Sequence, residues 1–283
     1  MQYARLFFKG FILQVLSSGA TRLYMTDIDS VDQEQLFDRI AADYDLLLAD
    51  WKNDLLEQGR QLDGFIRRYA VQPVRSILDC TCGIGTQCIG LARQGYRVTG
   101  TDISRKSVER ARREAKRFNV DVQFQVADIR VLAEKVTGRF DCVISCDNSL
   151  PALLNEVDIR AGLGQMYQRL EASGLCVISI RDYGPIFKEK KRFHPRQVHT
   201  TPTGRLVVFD LWEYPREDIV VFNVFYLQEG EKGWSVATRK MVYRALYPEQ
   251  LVALLGESGF KDVDIIREVD GERLPFDFYL CRK

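Results

Sequence analysis

Histidine is nearly absent from this chain of 283 residues; His194 and His199 are its only two. They are not at metal-ligand spacing, and Cys80 and Cys82 are separated by a single residue with no second C-x2-4-C pair to complete a four-ligand site. A resident metal is therefore not expected. No run reaches the roughly 18 apolar residues of a membrane-spanning helix, so a membrane partner is not expected either. Charge of one sign is also missing: 40 Lys and Arg oppose 39 Asp and Glu for a net +1. That balance argues against a broad basic face for nucleic acid. Internal repeats and low-complexity segments are absent. The seven cysteines are odd in number and sit in or beside apolar runs such as "DCVISC" and "GLCVISI". This fits buried, reduced thiols in a cytoplasmic protein better than a disulfide framework.

What is present is enough chain for one large domain, or a domain with an insertion, that buries about three quarters of its unfolded surface. The start "MQYARLFFKGFILQVLSSGA" loosely resembles a signal peptide, but its apolar stretch "GFILQVL" is short. Met25 opens a polar segment, so residues 1–24 are expected to be an extension upstream of the natural start. Residues 25–70 read as a helical cap, with Leu36, Ile40, Tyr44 and then Leu55, Leu62, Ile66 at helical spacing. Two helices are expected there, joined around "DLLLADW".

Strands and helices then alternate. Strands are predicted at 76–80, 97–102, 122–128, 140–147 and 175–182, with helices over 86–93, from the Ser104 N-cap to about Phe118, and around 159–170. Such alternation implies a Rossmann-like, mostly parallel sheet of seven strands with helices on both faces. From about 196 to 246 the pattern changes to long aromatic and β-branched runs, read as an antiparallel insert of about three strands. The basic "KEKKRFHPRQVH" (188–199) reads as a mobile loop before it. Trp212, Tyr214, Tyr226 and Tyr243 are expected to form a small core or a subunit interface, and a homo-oligomer is compatible with that. Pro248 starts a helix that Gly259 closes, and two further strands finish the sheet.

The first predicted strand runs into "DCTCGIGTQ". Gly83-Ile84-Gly85 is the start of a G-x-G-x-x-G turn, but Cys88 holds the third glycine position. Glycines let backbone approach a ligand, a helix N-terminus supplies unpaired N–H groups, and ligands of open α/β sheets bind beyond the carboxyl ends of strands. Asp102, ending the second strand, is placed to accept bonds from ribose hydroxyls. The alternatives at this point are a structural turn with a solvated Asp102, or a nicotinamide site, which more often keeps the third glycine.

Together, "LDCTCGIGTQ…GYRVTGTDIS…FQVADIR" resembles the cofactor half of class I S-adenosylmethionine-dependent methyltransferases over roughly residues 75–182. The resemblance implies S-adenosylmethionine as methyl donor and S-adenosylhomocysteine as product. It implies that Asp79 supports the loop and meets the methionine end, while Cys82, Gly83 and Gly85 supply loop backbone. It gives Asp102 the ribose, Ile103 the adenine face, and Asp128 with the Ile129 backbone the adenine amino edge. Cys146, at the end of strand four, joins these cofactor contacts.

The acceptor side follows strands four and five. "CDNSLP" is either a polar wall for the acceptor or an Asx-type turn, and Arg181 in "SIRDYG" either binds a carboxylate or pairs with an acid such as Asp147. "CDNSLP", "SIRDY" and "YRALYPEQL" are similar to runs in glycine and sarcosine N-methyltransferases. That likeness implies a small-molecule acceptor whose carboxylate is held by Asn148 and Arg181, with Tyr183 nearby and the Tyr44 hydroxyl facing the amine. Asp147 stands where those enzymes have glycine, and it or a tyrosine could accept the released proton. Transfer to oxygen or carbon of another anionic metabolite, or cofactor binding without catalysis, are the competing readings.

Overall fold

The computed structural model describes Ile28 and residues 31–283, so the expectations about residues 1–24 and a start at Met25 lie outside the described residues. The chain divides into residues 1–32 and 33–283, and the second unit holds both sheets.

Short, apolar, β-branched runs make the strands β1 (Ser76–Asp79), β2 (Arg97–Asp102), β3 (Val122–Val126), β4 (Phe140–Ser145) and β5 (Leu170–Ile180). With β10 (Lys261–Val269) and β11 (Glu272–Arg282) they form a seven-stranded sheet in the order β10-β11-β5-β4-β1-β2-β3. The pairings among β1 to β5 are parallel; β11 runs antiparallel to both β5 and β10. Strand order therefore reverses at β1, with β2 and β4 on either side of it. This opens a crevice at the carboxyl ends of β1 and β4, where open α/β sheets bind their ligands.

Adjacent residues on a strand face opposite ways, and the core splits accordingly. Ile77, Cys142, Ile144 and Val177 pack with α2 (Trp51–Tyr69), α3 (Thr86–Arg93) and α4 (Arg105–Arg117). Leu78, Val143, Cys176 and Ile178 face α5 (Glu156–Arg169) and the C-terminal helix, Pro248–Glu257. The expected caps set the boundaries: the Ser104 hydroxyl accepts from Ser107 N at 3.0 Å, and Pro248 opens the last helix, which ends before Gly259 at φ +98°.

The insert differs from the expectation. It has four strands: β6 (Phe193–Thr201), β7 (Gly204–Arg216), β8 (Ile219–Gly230) and β9 (Gly233–Arg244), all antiparallel. The stretch read as a mobile basic loop is the end of helix α6 (Tyr183–Glu189) followed by edge strand β6. Its charges misled because Arg196 does not face solvent freely: it forms a two-pronged ion pair with buried Asp210 of β7. Pro195 is accommodated at a register shift on the sheet edge, the position where a residue without an N–H is tolerated.

The two helices expected over this cap are α1 (Gln33–Ile40) and α2, with a 3-10 turn at Tyr44–Leu47 in the junction; α1 and that turn bridge the two sheets. On one side Asp38 accepts bonds from Ser104 Oγ (2.6 Å) and Lys106 N (3.1 Å), and buried Arg110 donates to the Ala41 and Ala42 carbonyls and pairs with Asp45. On the other, Arg239 pairs with Asp43, and His199 Nε2 lies 2.9 Å from the Leu46 carbonyl.

Candidate functional site

The β1–α3 loop begins with a carboxylate under cover. Asp79 is buried; its Oδ1 accepts from Thr81 N at 3.1 Å and its Oδ2 from the Cys88 thiol at 3.4 Å. Burial raises its pKa to about 7 against those bonds. Cys82 N donates to the Thr101 carbonyl (2.8 Å), which ties the loop to β2. Gly83 (φ +51°) and Gly85 (φ +94°) take the left-handed conformation that side chains avoid. A Cβ on Gly85 would press on Ala111 at 3.1 Å, whereas one on Gly83 would meet nothing within 4 Å. So Gly85 is needed for packing, while Gly83 has free space where a side chain would stand and needs glycine only for its left-handed backbone.

Asp102 closes the other wall. Its Oδ2 accepts from Gly83 N and its Oδ1 from Ser104 N, both at 2.8 Å, and burial lifts its pKa to about 6. Ile103 follows it at the β2–α4 turn. Cys146 is buried just past the end of β4, its thiol raised by burial. Asp128 and Ile129 lie beyond β3, but the Asp128 carboxylate is occupied: Arg130 N, Nε and Nη2 all donate to it. Asp128 also caps the short 3-10 turn that starts at Ile129.

Cys88, in the third glycine position, fits because β2 makes room. A Cβ on Gly100 would lie 2.7 Å from the Cys88 sulfur. All seven cysteines are buried and unpaired, and among the described residues no cluster of His, Cys, Asp or Glu could hold a metal.

Beyond β4, Asp147 (φ +54°) and Asn148 (φ +65°) are consecutive left-handed residues, a strained turn that short polar side chains tolerate. Asn148 is buried, and its amide is fully engaged. Oδ1 accepts from Arg181 N at 3.0 Å, and Nδ2 donates to the Tyr183 hydroxyl at 3.0 Å. Tyr183 is itself buried at the start of α6. These two therefore fix the end of β5 and the backbone of Arg181. The Arg181 side chain makes no ion pair with Asp147. Its guanidinium lies 5.7 Å from the Phe222 ring and 5.2 Å from that of Phe276, and its buried Nε has no hydrogen-bond partner.

Tyr44 comes down on this space from the bridging segment. Burial raises its hydroxyl pKa, as does the facing Asp147 charge and then Tyr243; Arg196 and Arg181 act the opposite way. The structure thus gathers Tyr44, Asp147 and Arg181 at one place, with Asn148 and Tyr183 behind them.

Four residues that sequence reasoning missed complete the site. Gln87 Nε2 donates to Gln58 Oε1 (2.6 Å) and to Asp147 Oδ2 (2.9 Å), linking cap helix, cofactor loop and the β4 end. Arg196 and Asp210 carry charge onto the inner sheet face, where Trp212 Nε1 also donates to Asp210. An acid flanked by apolar residues in "VVFDLW" was the available signal, because a buried carboxylate needs a partner.

The site's residues fit the cofactor that the sequence suggests. The left-handed Gly83–Gly85 turn with no side chain at Gly83, a carboxylate at the end of β2 and a helix N-terminus at Thr86 form a cradle for a nucleoside with a charged tail.

The profile of a family described as "Methyltransferase domain" matches residues 77–174. The glycine/sarcosine N-methyltransferase of Parasynechococcus marenigrum (strain WH8102) is 33% identical over 136 residues, 48% of this chain and 47% of that protein. A ubiquinone biosynthesis O-methyltransferase of Methylocella silvestris is 30% identical over 136 residues, 42% of this chain and 53% of that one. These matches span about half the length of each curated relative. The CcbJ methyltransferase of Streptomyces caelestis superposes with a TM-score of 0.71 at 19% identity, covering 89% of this chain and 99% of that one. With the switch-point crevice, the glycine loop and the acid ending β2, these findings identify residues 77–174 as a methyltransferase domain of the kind that uses S-adenosylmethionine.

Proposed function

We propose that the chain transfers a methyl group from S-adenosylmethionine to the nitrogen of a small, glycine-like amino acid. The observation that carries this reading is Arg181: a guanidinium at the carboxyl end of a central strand whose buried Nε has no partner. An unsatisfied buried donor on a charged group is costly, and a substrate carboxylate answers it through two parallel bonds. The likeness to glycine/sarcosine N-methyltransferases points the same way.

Bound S-adenosylmethionine supplies a methyl group already activated by its sulfonium. Asp102 would hold the ribose hydroxyls, the backbone of Cys82, Gly83 and Gly85 the amino-acid tail, and Asp79 its ammonium. The chain's remaining work is alignment. Asn148 and Tyr183 fix the Arg181 backbone, Arg181 anchors the carboxylate, and Tyr44 closes over the acceptor and excludes water. Holding both reactants in line can supply several kcal/mol, up to roughly 7–11 in favourable cases. The buried, unpaired thiols suit a reducing compartment such as the cytoplasm.

A second reading is transfer to oxygen, favoured by the O-methyltransferase relative and by the fact that Arg181 would grip any carboxylate. Labelled S-adenosylmethionine with glycine separates them: labelled sarcosine supports the first, and another labelled acid from a metabolite mixture the second. Tight S-adenosylhomocysteine binding without any transfer would leave only a binding protein. Arg181→Ala should raise the acceptor KM at least tenfold; an unchanged KM would sink the carboxylate assignment.

A further inference from the structure

We propose that Asp147 receives the amine of the methyl acceptor and takes its proton, held for that task by Gln87 and Gln58. The inference rests on the N-methylation reading above and adds the group that distinguishes an amino acid from any other carboxylic acid.

The candidates for this role are few. Asp210 is saturated: Arg196 Nε bonds its Oδ1, while Arg196 Nη2 and Trp212 Nε1 bond its Oδ2. Asp79 belongs to the cofactor loop, where it accepts from Thr81 N and the Cys88 thiol and is the group assigned above to the cofactor's own ammonium. The Tyr183 hydroxyl is locked to Asn148, and the Tyr243 hydroxyl donates to the Met241 sulfur at 3.3 Å. Asp147 alone among these carboxylates is held by uncharged amides and has no ion-pair partner within 4 Å among the described residues.

Its setting is built rather than incidental. The carboxylate sits on a left-handed residue whose N–H is tied to Ser179 Oγ at 2.9 Å. Gln87, nearly fully buried, is pinned by Gln58 of α2 and can offer Asp147 a donor only from that side. The groups that face Asp147 are Arg181 from the end of β5, Asp54 from α2, Asp79 from the end of β1, and the hydroxyls of Tyr44 and Tyr243. An unpaired carboxylate and an unpaired guanidinium on one crevice are the complement of a zwitterion.

In the step, the acceptor enters as an ammonium ion beside Asp147. Its proton passes to the carboxylate and frees the nitrogen lone pair. The N–C bond forms as the C–S bond breaks, and that bond's electron pair stays on sulfur. Burial raises the Asp147 carboxyl above the ordinary range, which makes proton acceptance less unfavourable.

The test uses the full chain saturated with S-adenosylhomocysteine and titrated calorimetrically with glycine or with acetate, which keeps the carboxylate and lacks the amine. Wild type should bind glycine about tenfold or more tightly than acetate, as one charge-assisted bond implies. Asp147→Asn should bind the two within about twofold, with S-adenosylhomocysteine affinity little changed. Gln58→Ala, which keeps the carboxylate and loosens its support, should lose part of the preference, and it stands in if Asp147→Asn does not fold. Equal binding of glycine and acetate by wild type, or a preference that survives in both variants, overturns the role of Asp147 while leaving the carboxylate site intact. Failure to bind either probe overturns the underlying reading as well.

Discussion

Gly59 of α2 and Gly90 of α3 meet backbone to backbone. A Cβ on Gly59 would lie 2.6 Å from Gly90 C and Cα, and one on Gly90 would lie 2.6 Å from the Leu55 carbonyl oxygen. Cap helix and cofactor helix are thereby clamped at one point, with the Trp51 indole donating to Thr86 Oγ1 at 2.9 Å beside it. Helix α2 is thus part of the framework, and the Gln33–Leu48 segment is held by polar links together with Ile40 and Leu47 in the apolar core of the insert. Gly59→Ala and Gly90→Ala should each destabilise the fold by about 1–3 kcal/mol, the usual cost of overpacking. Urea unfolding measures this, and a change within experimental error would show that the helices can separate.

Cofactor affinity and free-protein stability should move in opposite directions with pH. Asp79 and Asp102, raised by burial to about 7 and about 6, keep protons in the folded state that the unfolded chain has lost. Stability of the free protein therefore falls as pH rises from about 4 to about 7. Hydroxyl and ammonium donors of the cofactor need both groups ionised, so S-adenosylhomocysteine should bind more tightly across the same rise. Denaturation and calorimetry at several pH values report the two slopes, and parallel slopes would count against these acids as ligands. Asp102→Asn should weaken S-adenosylhomocysteine by roughly tenfold to a hundredfold.

The Arg196–Asp210 pair holds edge strand β6 to the insert, with the carboxylate almost fully buried and the guanidinium partly so. Asp210→Asn should cost about 3 kcal/mol, the low end for stranding one partner of a buried pair because Arg196 keeps some water. Joint replacement by Met at 196 and Leu at 210 should recover most of that loss. A double variant as unstable as the single one would mean that geometry, not charge, is what the strand requires.

Much of the parallel sheet was legible because its signals are local. Caps at Ser104 and Pro248, and strands ending in single acids, mark boundaries that the structure meets within a few residues. Strand β6 was hidden because its ion-pair partner, Asp210, lies across a hairpin and no local period reveals it. The motif around Asn148 suggested a grip on the acceptor, whereas its amide holds Arg181 N and Tyr183, a long-range arrangement that a motif does not encode. Gln58 and Gln87 carry no motif at all; only folding brings them to Asp147.

Gly100 and Cys88 are matched in size across the cofactor loop. Gly100→Ala should be destabilising by about 1–3 kcal/mol, since its Cβ would lie 2.7 Å from the Cys88 sulfur and 2.9 Å from the Phe124 ring. Adding Cys88→Ala should relieve only part of that, because the Phe124 clash persists. Full rescue in the denaturation midpoint would show that Phe124 moves freely.

Seven buried thiols, spread over the cofactor loop and strands β4, β5 and β11, give the native protein a set of built-in timers. A bulky thiol reagent can reach each sulfur only when the structure around it opens, so its labelling rate reads the opening free energy of that neighbourhood. Cys82 and Cys88 would time the loop, while Cys176 and Cys281, paired across β5 and β11, would time the sheet. Added S-adenosylhomocysteine should slow the first pair far more than the second, making ligand occupancy measurable without any turnover.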